Sequence, residues 1–245
     1  MVTGASRGIG RAIAIRLAAE GAHVVVDHPG EAEAANEVVQ TIQDSGGAAL
    51  AIAADVSITD AVHNLFRITV QEFGTIDILV NNAGICPFVE WFDLTEDIWD
   101  QEHHINLKGA FLCSQAASRI MRDHRHGGRI ISLSSISALV GGSFQTAYTP
   151  TKAGIRSLMQ SLAIVLGPYG ITCNSILPGS ILTDINRDHY QDAQILARDS
   201  QRIPVGRLGN PTDIAGVAAF LASEDADYIN GADILVDGGL FVNLQ

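Results

Sequence analysis

The sequence predicts an α/β fold: a doubly wound parallel sheet with helices on both faces. Three observations lead there. Short β-branched runs alternate strictly with longer Ala-rich segments along the 245 residues. The strand-like runs are apolar nearly throughout, as strands buried on both faces are. A glycine-rich turn, TGASRGIG (3–10), opens directly into a helical pattern, RAIAIRLAAEGA.

The elements follow in order. AHVVVD (22–27) reads as a strand, and EAEAANEVVQTIQDSG as a helix closed by glycine. AALAIAAD (48–55) is the next strand, followed by the helix VHNLFRITVQEFG. IDILVNN (76–82) is a strand, and DIWDQEHHINLKGAFLCSQAASRIMRD supports one or two helices. GGRIISLSS (127–135) is a strand; TPTKAGIRSLMQSLAIVLGPYG is a long helix that stops at Gly167-Pro168. ITCNSILPG (171–179) is a strand, PTDIAGVAAFLAS (211–223) a helix, and ADILVDGG (232–239) the last strand. Residues 180–205 are polar, mixed in charge and poorly periodic. They follow a strand's carboxyl end, where ligands bind in such sheets, and read either as a mobile substrate loop or as a surface connection. No repeat, linker or low-complexity stretch divides the chain. Residues 1–245 are expected to form a single domain around one core.

Composition narrows the function. The net charge of −12 disfavours nucleic acid and anionic membrane as partners, since both need a basic face. No apolar run approaches the ~20 residues that span a bilayer, and no secretory signal opens the chain. Cys86, Cys113 and Cys173 are far apart and form no CxxC pair, which fits reduced thiols in a cytoplasm. His103 and His104 are adjacent, with His124 and His126 nearby, but no carboxylate completes a ligand spacing and no metal site is expected.

Gly4, Gly8 and Gly10 stand between a strand position and a helix. Glycines let the backbone turn tightly and let a pyrophosphate approach the amides. The helix N-terminus supplies free N–H donors and partial positive charge. The spacing is G-x-x-x-G-x-G, not the commoner G-x-G-x-x-G. Such a loop follows a strand of about five residues, central in a sheet of order 3-2-1-4-5-6. Only Met1 and Val2 precede it. The first strand is therefore expected to be truncated, leaving neighbouring ladder groups unpaired at ~1–3 kcal/mol for each buried group. The natural chain is expected to begin several residues upstream.

Taken together, TGASRGIG, Asp55-Val56, NNAG (81–84), Asn106 in HHINLKGAF, SSIS (134–137), YTPTK (148–152), LPGSILTD (177–184) and VDGG (236–239) resemble the short-chain dehydrogenase/reductase family in order and spacing. The resemblance spans essentially the whole chain and implies a Rossmann-like sheet. It implies that Gly4, Ser6, Arg7, Gly8, Ile9 and Gly10 hold the cofactor pyrophosphate, and that Asp55 and Val56 flank the adenine. Asn82, Ala83 and Gly84 would line the ribose and nicotinamide side; Pro178, Gly179, Ile181 and Thr183 would hold the carboxamide. Tetramers are common in the family, and segments 105–122 and 150–167 correspond to helices that pair across its dimers.

Tyr148 and Lys152 are four apart, on one helix face, with Pro150 between them where a first turn tolerates proline. A tyrosine of ordinary pKa ~10 is a poor base at neutral pH. A nearby ammonium and a cationic nicotinamide favour the phenolate, which can then take the proton of a substrate hydroxyl. By the resemblance, both residues also adjoin the cofactor. By the resemblance, Ser135 orients the substrate oxygen and Asn106 holds a water that links Lys152 to solvent. Ser134 and Ser137 are neighbouring candidates, Ser137 for substrate contact.

The end of the second strand reads VVVDHPGE. The family's NAD-selecting acid would align at His28, and the arginine of NADP users near Pro29. Asp27 could reach the ribose and Arg7 a 2′-phosphate. The expectation is NAD, with NADP possible. ICPF (85–88), SSISALVGG, YTPTKAG, SLMQS, LGPYGI, TDIN and LVDGGLFVNLQ resemble the family's sugar 1-dehydrogenases, which oxidise the anomeric hydroxyl of an aldohexose to a lactone. Ser137, Gln145 and Thr183, with Ser135 and Tyr148, could hydrogen-bond ring hydroxyls of a small-molecule sugar. The alternative is reduction of a 3-oxoacyl group on an acyl-carrier protein. A non-catalytic dinucleotide sensor would show a broken set of Asn106, Ser135, Tyr148 and Lys152, and all four are present. The apolar tail Leu240–Gln245 is left to close either its own subunit's pocket or a neighbour's.

Overall fold

The computed structural model describes residues 1–184, 186 and 189–243. Among the described residues the strands are β1 (Val24–His28), β2 (Ala49–Ala53), β3 (Ile78–Asn81), β4 (Gly128–Leu133), β5 (Ile171–Pro178) and β6 (Asp233–Val236). The helices are α1 (Gly8–Ala19), α2 (Ala32–Asp44), α3 (Thr59–Phe73), α4 (Glu96–Glu102), α5 (Gly109–His124), α6 (Tyr148–Leu166), α7 (Ala193–Gln201) and α8 (Pro211–Ala222). β1 pairs with β2, and β3-β4-β5-β6 run side by side, every pair parallel. All eight residues of β5 are buried, as a central strand covered on both faces requires.

Two apolar layers sandwich the sheet. On one face Ile13 and Leu17 of α1, Val38 and Ile42 of α2, and Ile214 and Leu221 of α8 pack together. On the other, Leu65 and Phe66 of α3, Met121 of α5 and Met159 of α6 do the same. This is the doubly wound arrangement the sequence predicts.

The position between β1 and β3 belongs to Val2, which bridges Val26 on one side and Val80 on the other. Its N–H donates to Val25 O at 3.0 Å and its carbonyl accepts from Asp27 N at 3.1 Å. Met1 O accepts from Val80 N at 2.9 Å, and the Met1 amine donates to Ile78 O at 2.8 Å. Below Met1 the space between the two strands is a cavity of about 350 Å³ lined by Leu17, Val24, Phe73 and Ile76 among others.

Two segments need correction. The stretch 97–123, expected as one or two helices, is one continuous helical run that also holds an unforeseen π-helical segment, His103–Lys108, between α4 and α5. The wide turn buries Asn106 at its centre. The segment 180–205 contains a short 3₁₀ turn, His189–Gln191, and the nine-residue α7. Asp192 caps α7, its Oδ1 accepting from Gln194 N at 2.8 Å. That Asp start signal outweighs a weak apolar pattern. Residues 185, 187 and 188 of this segment, and 244 and 245 of the tail, lie outside the described residues.

Candidate active site

A cleft of about 1330 Å³ opens at the carboxyl ends of β1 to β5. It exists because each strand delivers a loop there: Asp27 from β1, Ala54–Val56 after β2, Asn82–Gly84 after β3, Ser134–Ser135 after β4, Pro178–Gly179 from β5.

The glycine loop forms one end. Gly4 (φ +59°) and Gly8 (φ +55°) take left-handed backbone that a side chain disfavours. A Cβ on Gly4 would stand 2.9 Å from Ala83 Cα, so the loop must pass the turn after β3 without a side chain. Asn82 then braces it, Nδ2 donating to the Thr3 and Gly4 carbonyls at 2.9 Å each. Thr3 Oγ1 accepts from Asn82 N and Ala83 N at 3.0 Å. Arg7, the N-cap of α1, makes no side-chain cap hydrogen bond. The first amides of α1 therefore have no capping acceptor, which suits a bound phosphate.

Asp27 sits beside this loop, 1% exposed, with Oδ2 accepting from Gly4 N at 3.2 Å. Its Oδ1 is buried without a hydrogen-bond partner. Burial pushes the carboxyl up to about 7, with Gly4 and His28 amides opposing and Asp55 and Glu31 adding to the rise. Asp27, not the aligned His28, lines the cleft. Arg7 and Glu31 also face it, and form an ion pair at 3.5 Å. Asp55 braces its own turn by accepting from Ser57 N and Oγ at 2.9 and 2.7 Å.

At the other end, Tyr148 and Lys152 occupy the first turns of α6 and face the same cleft as Ser135. Lys152 Nζ lies 5.3 Å from the Tyr148 ring centroid and donates to Leu133 O at 2.8 Å. Ser134 Oγ donates to Lys152 O at 2.8 Å, so Ser134 pins the helix rather than reaching a substrate. Ser135 Oγ accepts from Ser137 N at 3.0 Å, and Ser135 lines the cleft together with Tyr148. Desolvation raises the Tyr148 phenol well above its ordinary value; burial lowers Lys152 to about 8. Both shifts favour the neutral forms and move the two groups apart, so a phenolate on Tyr148 needs opposing positive charge; shifts of this size in a cleft mark a functional pair. Ser137 Oγ donates to Gln145 Oε1 at 3.1 Å, and Gln145 Nε2 reaches Cys86 Sγ at 3.5 Å.

Nearly all residues singled out in the sequence line this cleft, including Ser6, Ile9, Val56, Ile181 and Thr183. Gly10 and Asn106 do not. Gly10 packs the loop: a Cβ there would meet Gly4 O at 2.4 Å and Asn82 Nδ2 at 2.5 Å. Asn106, 1% exposed, stands behind Gly84, whose Cβ would lie 3.1 Å from Asn106 Oδ1 and 3.6 Å from Lys152 Nζ. Asn106 exchanges hydrogen bonds with both Ile85 backbone groups and donates to Thr151 Oγ1 at 3.2 Å. Sequence reasoning missed an apolar wall of Phe88, Val140 and Phe144, and polar groups of the 180–205 segment such as Tyr190 and Arg202. Only their position after a strand end hinted at it. Leu240, Phe241 and Asn243 of the tail line their own subunit's cleft.

The comparisons agree with this geometry. A family profile described as Enoyl-(Acyl carrier protein) reductase matches residues 4–241. The L-rhamnose 1-dehydrogenase (NAD(P)(+)) of Azotobacter vinelandii is 52% identical over 248 residues, covering 100% of this chain and 97% of the relative. A 3-oxoacyl-(acyl-carrier-protein) reductase of Staphylococcus aureus is 43% identical, covering 99% and 97%. The solved structure of a short-chain type dehydrogenase/reductase from Mycobacterium marinum superposes with a TM-score of 0.92 at 35% identity, covering 98% of this chain and 93% of that one. The chain belongs to the short-chain dehydrogenase/reductase family.

Proposed function

We propose that this chain oxidises the C1 hydroxyl of L-rhamnose or a closely related aldose to the aldonolactone, with NAD or NADP as hydride acceptor. The observation that supports it most is the shared cleft: Tyr148, Lys152 and Ser135 face the same space as an uncapped, glycine-cradled helix N-terminus. The second support is that full-length likeness is greater to a rhamnose dehydrogenase than to an acyl-carrier reductase. We read residues 1–245 as one catalytic domain.

The residues fit a dinucleotide. Gly4, Ser6, Arg7, Gly8 and Ile9 offer backbone amides and open space to a pyrophosphate. Asp27 Oδ1, buried and unpartnered, is placed to meet a ribose hydroxyl. Arg7 is placed to meet a 2′-phosphate when Glu31 releases it. When bound, the oxidised nicotinamide supplies the hydride acceptor and a positive charge. That charge and Lys152 oppose the burial that holds Tyr148 protonated. Ser135 holds the C1 oxygen; Tyr148 takes its proton as the C1 hydride departs, and C1–O becomes the lactone carbonyl. Ser137 and Gln145 present polar groups to the ring, while Phe88 and Phe144 supply an apolar side.

We place the enzyme in the cytoplasm, consistent with three free cysteines. Among the described residues no helix is long and apolar enough to cross a membrane. A homotetramer fits exposed Phe111 on α5 and Ile164 and Val165 on α6, the last two 78% and 59% exposed; sedimentation velocity reads the mass directly. The functional test is formation of reduced nicotinamide from NAD or NADP with a panel of aldoses. L-rhamnose should be among the best substrates. Silence with every aldose, together with reduction of a 3-oxoacyl thioester, would replace this reading with the acyl-carrier one.

A further inference from the structure

Glu102 ends α4 and is only 1% exposed. Its Oε2 is buried and has no hydrogen-bond partner. An isolated buried carboxylate is costly and persists where a nearby charge compensates it. The chain supplies that charge. Asn106 lies one turn further along the same continuous helix and contacts Thr151, the neighbour of Lys152. Lys152 is itself only 4% exposed, and a single carbonyl, Leu133 O, accepts from its ammonium among the described residues.

The groups facing this space can be named. From α6 they are Lys152 and Tyr148, and from the loop after β3 Cys86, all lining the cleft; a Cβ on Gly84 would stand 3.1 Å from Asn106 Oδ1 and 3.6 Å from Lys152 Nζ, which sets the helix of Glu102 beside the ammonium. On the helix of Glu102 itself, His103 is turned away, its Nδ1 at 2.8 Å from Trp99 O and its ring stacked on Trp99, and His104 is exposed. Among the described residues, Glu102 and Cys86 are the acidic groups beside Tyr148 that raise Lys152 when ionised. Burial pushes the Cys86 thiol up to about 11, so at neutral pH it is uncharged. Glu102 is left.

We propose that Glu102 is the counter-charge of Lys152 and sets the pH range of the Tyr148–Lys152 pair. It touches neither substrate nor cofactor and is a positioning residue. The proposal rests on Tyr148 and Lys152 being the reacting pair. The ionised carboxylate holds the proton on Lys152 and also holds the proton on Tyr148. Its removal lets both groups deprotonate more easily, so both limbs of a bell-shaped rate profile move to lower pH. Burial raises Glu102 to about 7 and Lys152 partly offsets this, so the effect operates from neutral pH upward.

The chain has only two lysines, Lys108 and Lys152, which makes the test direct. The full-length protein, labelled at the lysine ε-carbon, is titrated by NMR with Lys108 as internal reference. The Lys152 resonance should lose its proton about one pH unit lower in Glu102→Gln than in the parent, and Glu102→Asp should restore much of the difference. The kcat–pH profile with L-rhamnose should move the same way by a similar amount. Identical Lys152 titrations in parent and Glu102→Gln overturn the proposal, as does a variant whose rate falls equally at every pH. If Glu102→Gln does not fold, the parent decides: its Lys152 resonance must show a second, smaller inflection near neutrality, and a single inflection overturns the proposal. The NMR titration needs no turnover, so a failure of the sugar assignment leaves this result readable on its own.

Discussion

Asp27→Asn separates what a buried carboxyl contributes to stability from what it contributes to binding. In the parent, burial raises this carboxyl from an ordinary value near 3.8 to about 7. The unfolded chain therefore ionises it from about pH 4 upward, while the folded chain keeps it protonated to about pH 7. Across that window the folded state binds more protons, so stability falls as pH rises. A shift of roughly three units corresponds to ~4 kcal/mol once both states are ionised. About 3 kcal/mol of it is lost between about pH 5 and about pH 8. Asparagine does not titrate. It can keep the bond from Gly4 N, at a cost of ~1–3 kcal/mol for a buried amide N–H in place of Oδ1, independent of pH. Urea unfolding at both pH values gives the answer. The variant should gain ~3 kcal/mol on the parent between the acid and the alkaline measurement, while its affinity for NAD drops. A stability difference equal at both pH values would refute the reasoning, because Asp27 would then not be a protonated, buried acid.

Further expectations concern single positions. Tyr148→Phe should lower kcat by ~10²–10⁴ with NAD affinity unchanged by calorimetry, since only the proton acceptor is removed. Gly10→Ala should destabilise the chain by ~1–3 kcal/mol in urea unfolding, because its methyl would stand 2.4 Å from Gly4 O. Glu31→Gln frees Arg7 from a pair at 3.5 Å. The NADP-to-NAD ratio of kcat/KM should rise about fivefold, in line with the ~1 kcal/mol of a half-exposed ion pair. An unchanged ratio would take Arg7 out of cofactor choice.

The order of strands and helices was legible because hydrophobic period and glycine position act locally. The cleft's ends were legible too: Gly4, Asn82 and Tyr148 stand in motifs whose spacing is set by backbone geometry. Three things were not. The π-helical segment that buries Asn106 depends on packing against α6, which no local pattern encodes. Helix α7 has one strong signal, the Asp192 cap, in an otherwise polar stretch. Glu102 reads on sequence as one more acid on an exposed amphipathic helix; only the turn of α4 toward Lys152 makes it a buried charge. Tertiary context decides such cases, and it decides most often beside an active site.

The most direct test follows one hydrogen. L-rhamnose deuterated at C1 is turned over with NAD or NADP, and both products are examined by mass spectrometry and NMR. The account predicts that the deuterium leaves C1 and appears on the reduced nicotinamide ring, with the sugar recovered as its 1,5-lactone or the acid formed from it. Reduced nicotinamide without deuterium, or a sugar product still deuterated at C1, would contradict hydride transfer from the anomeric carbon.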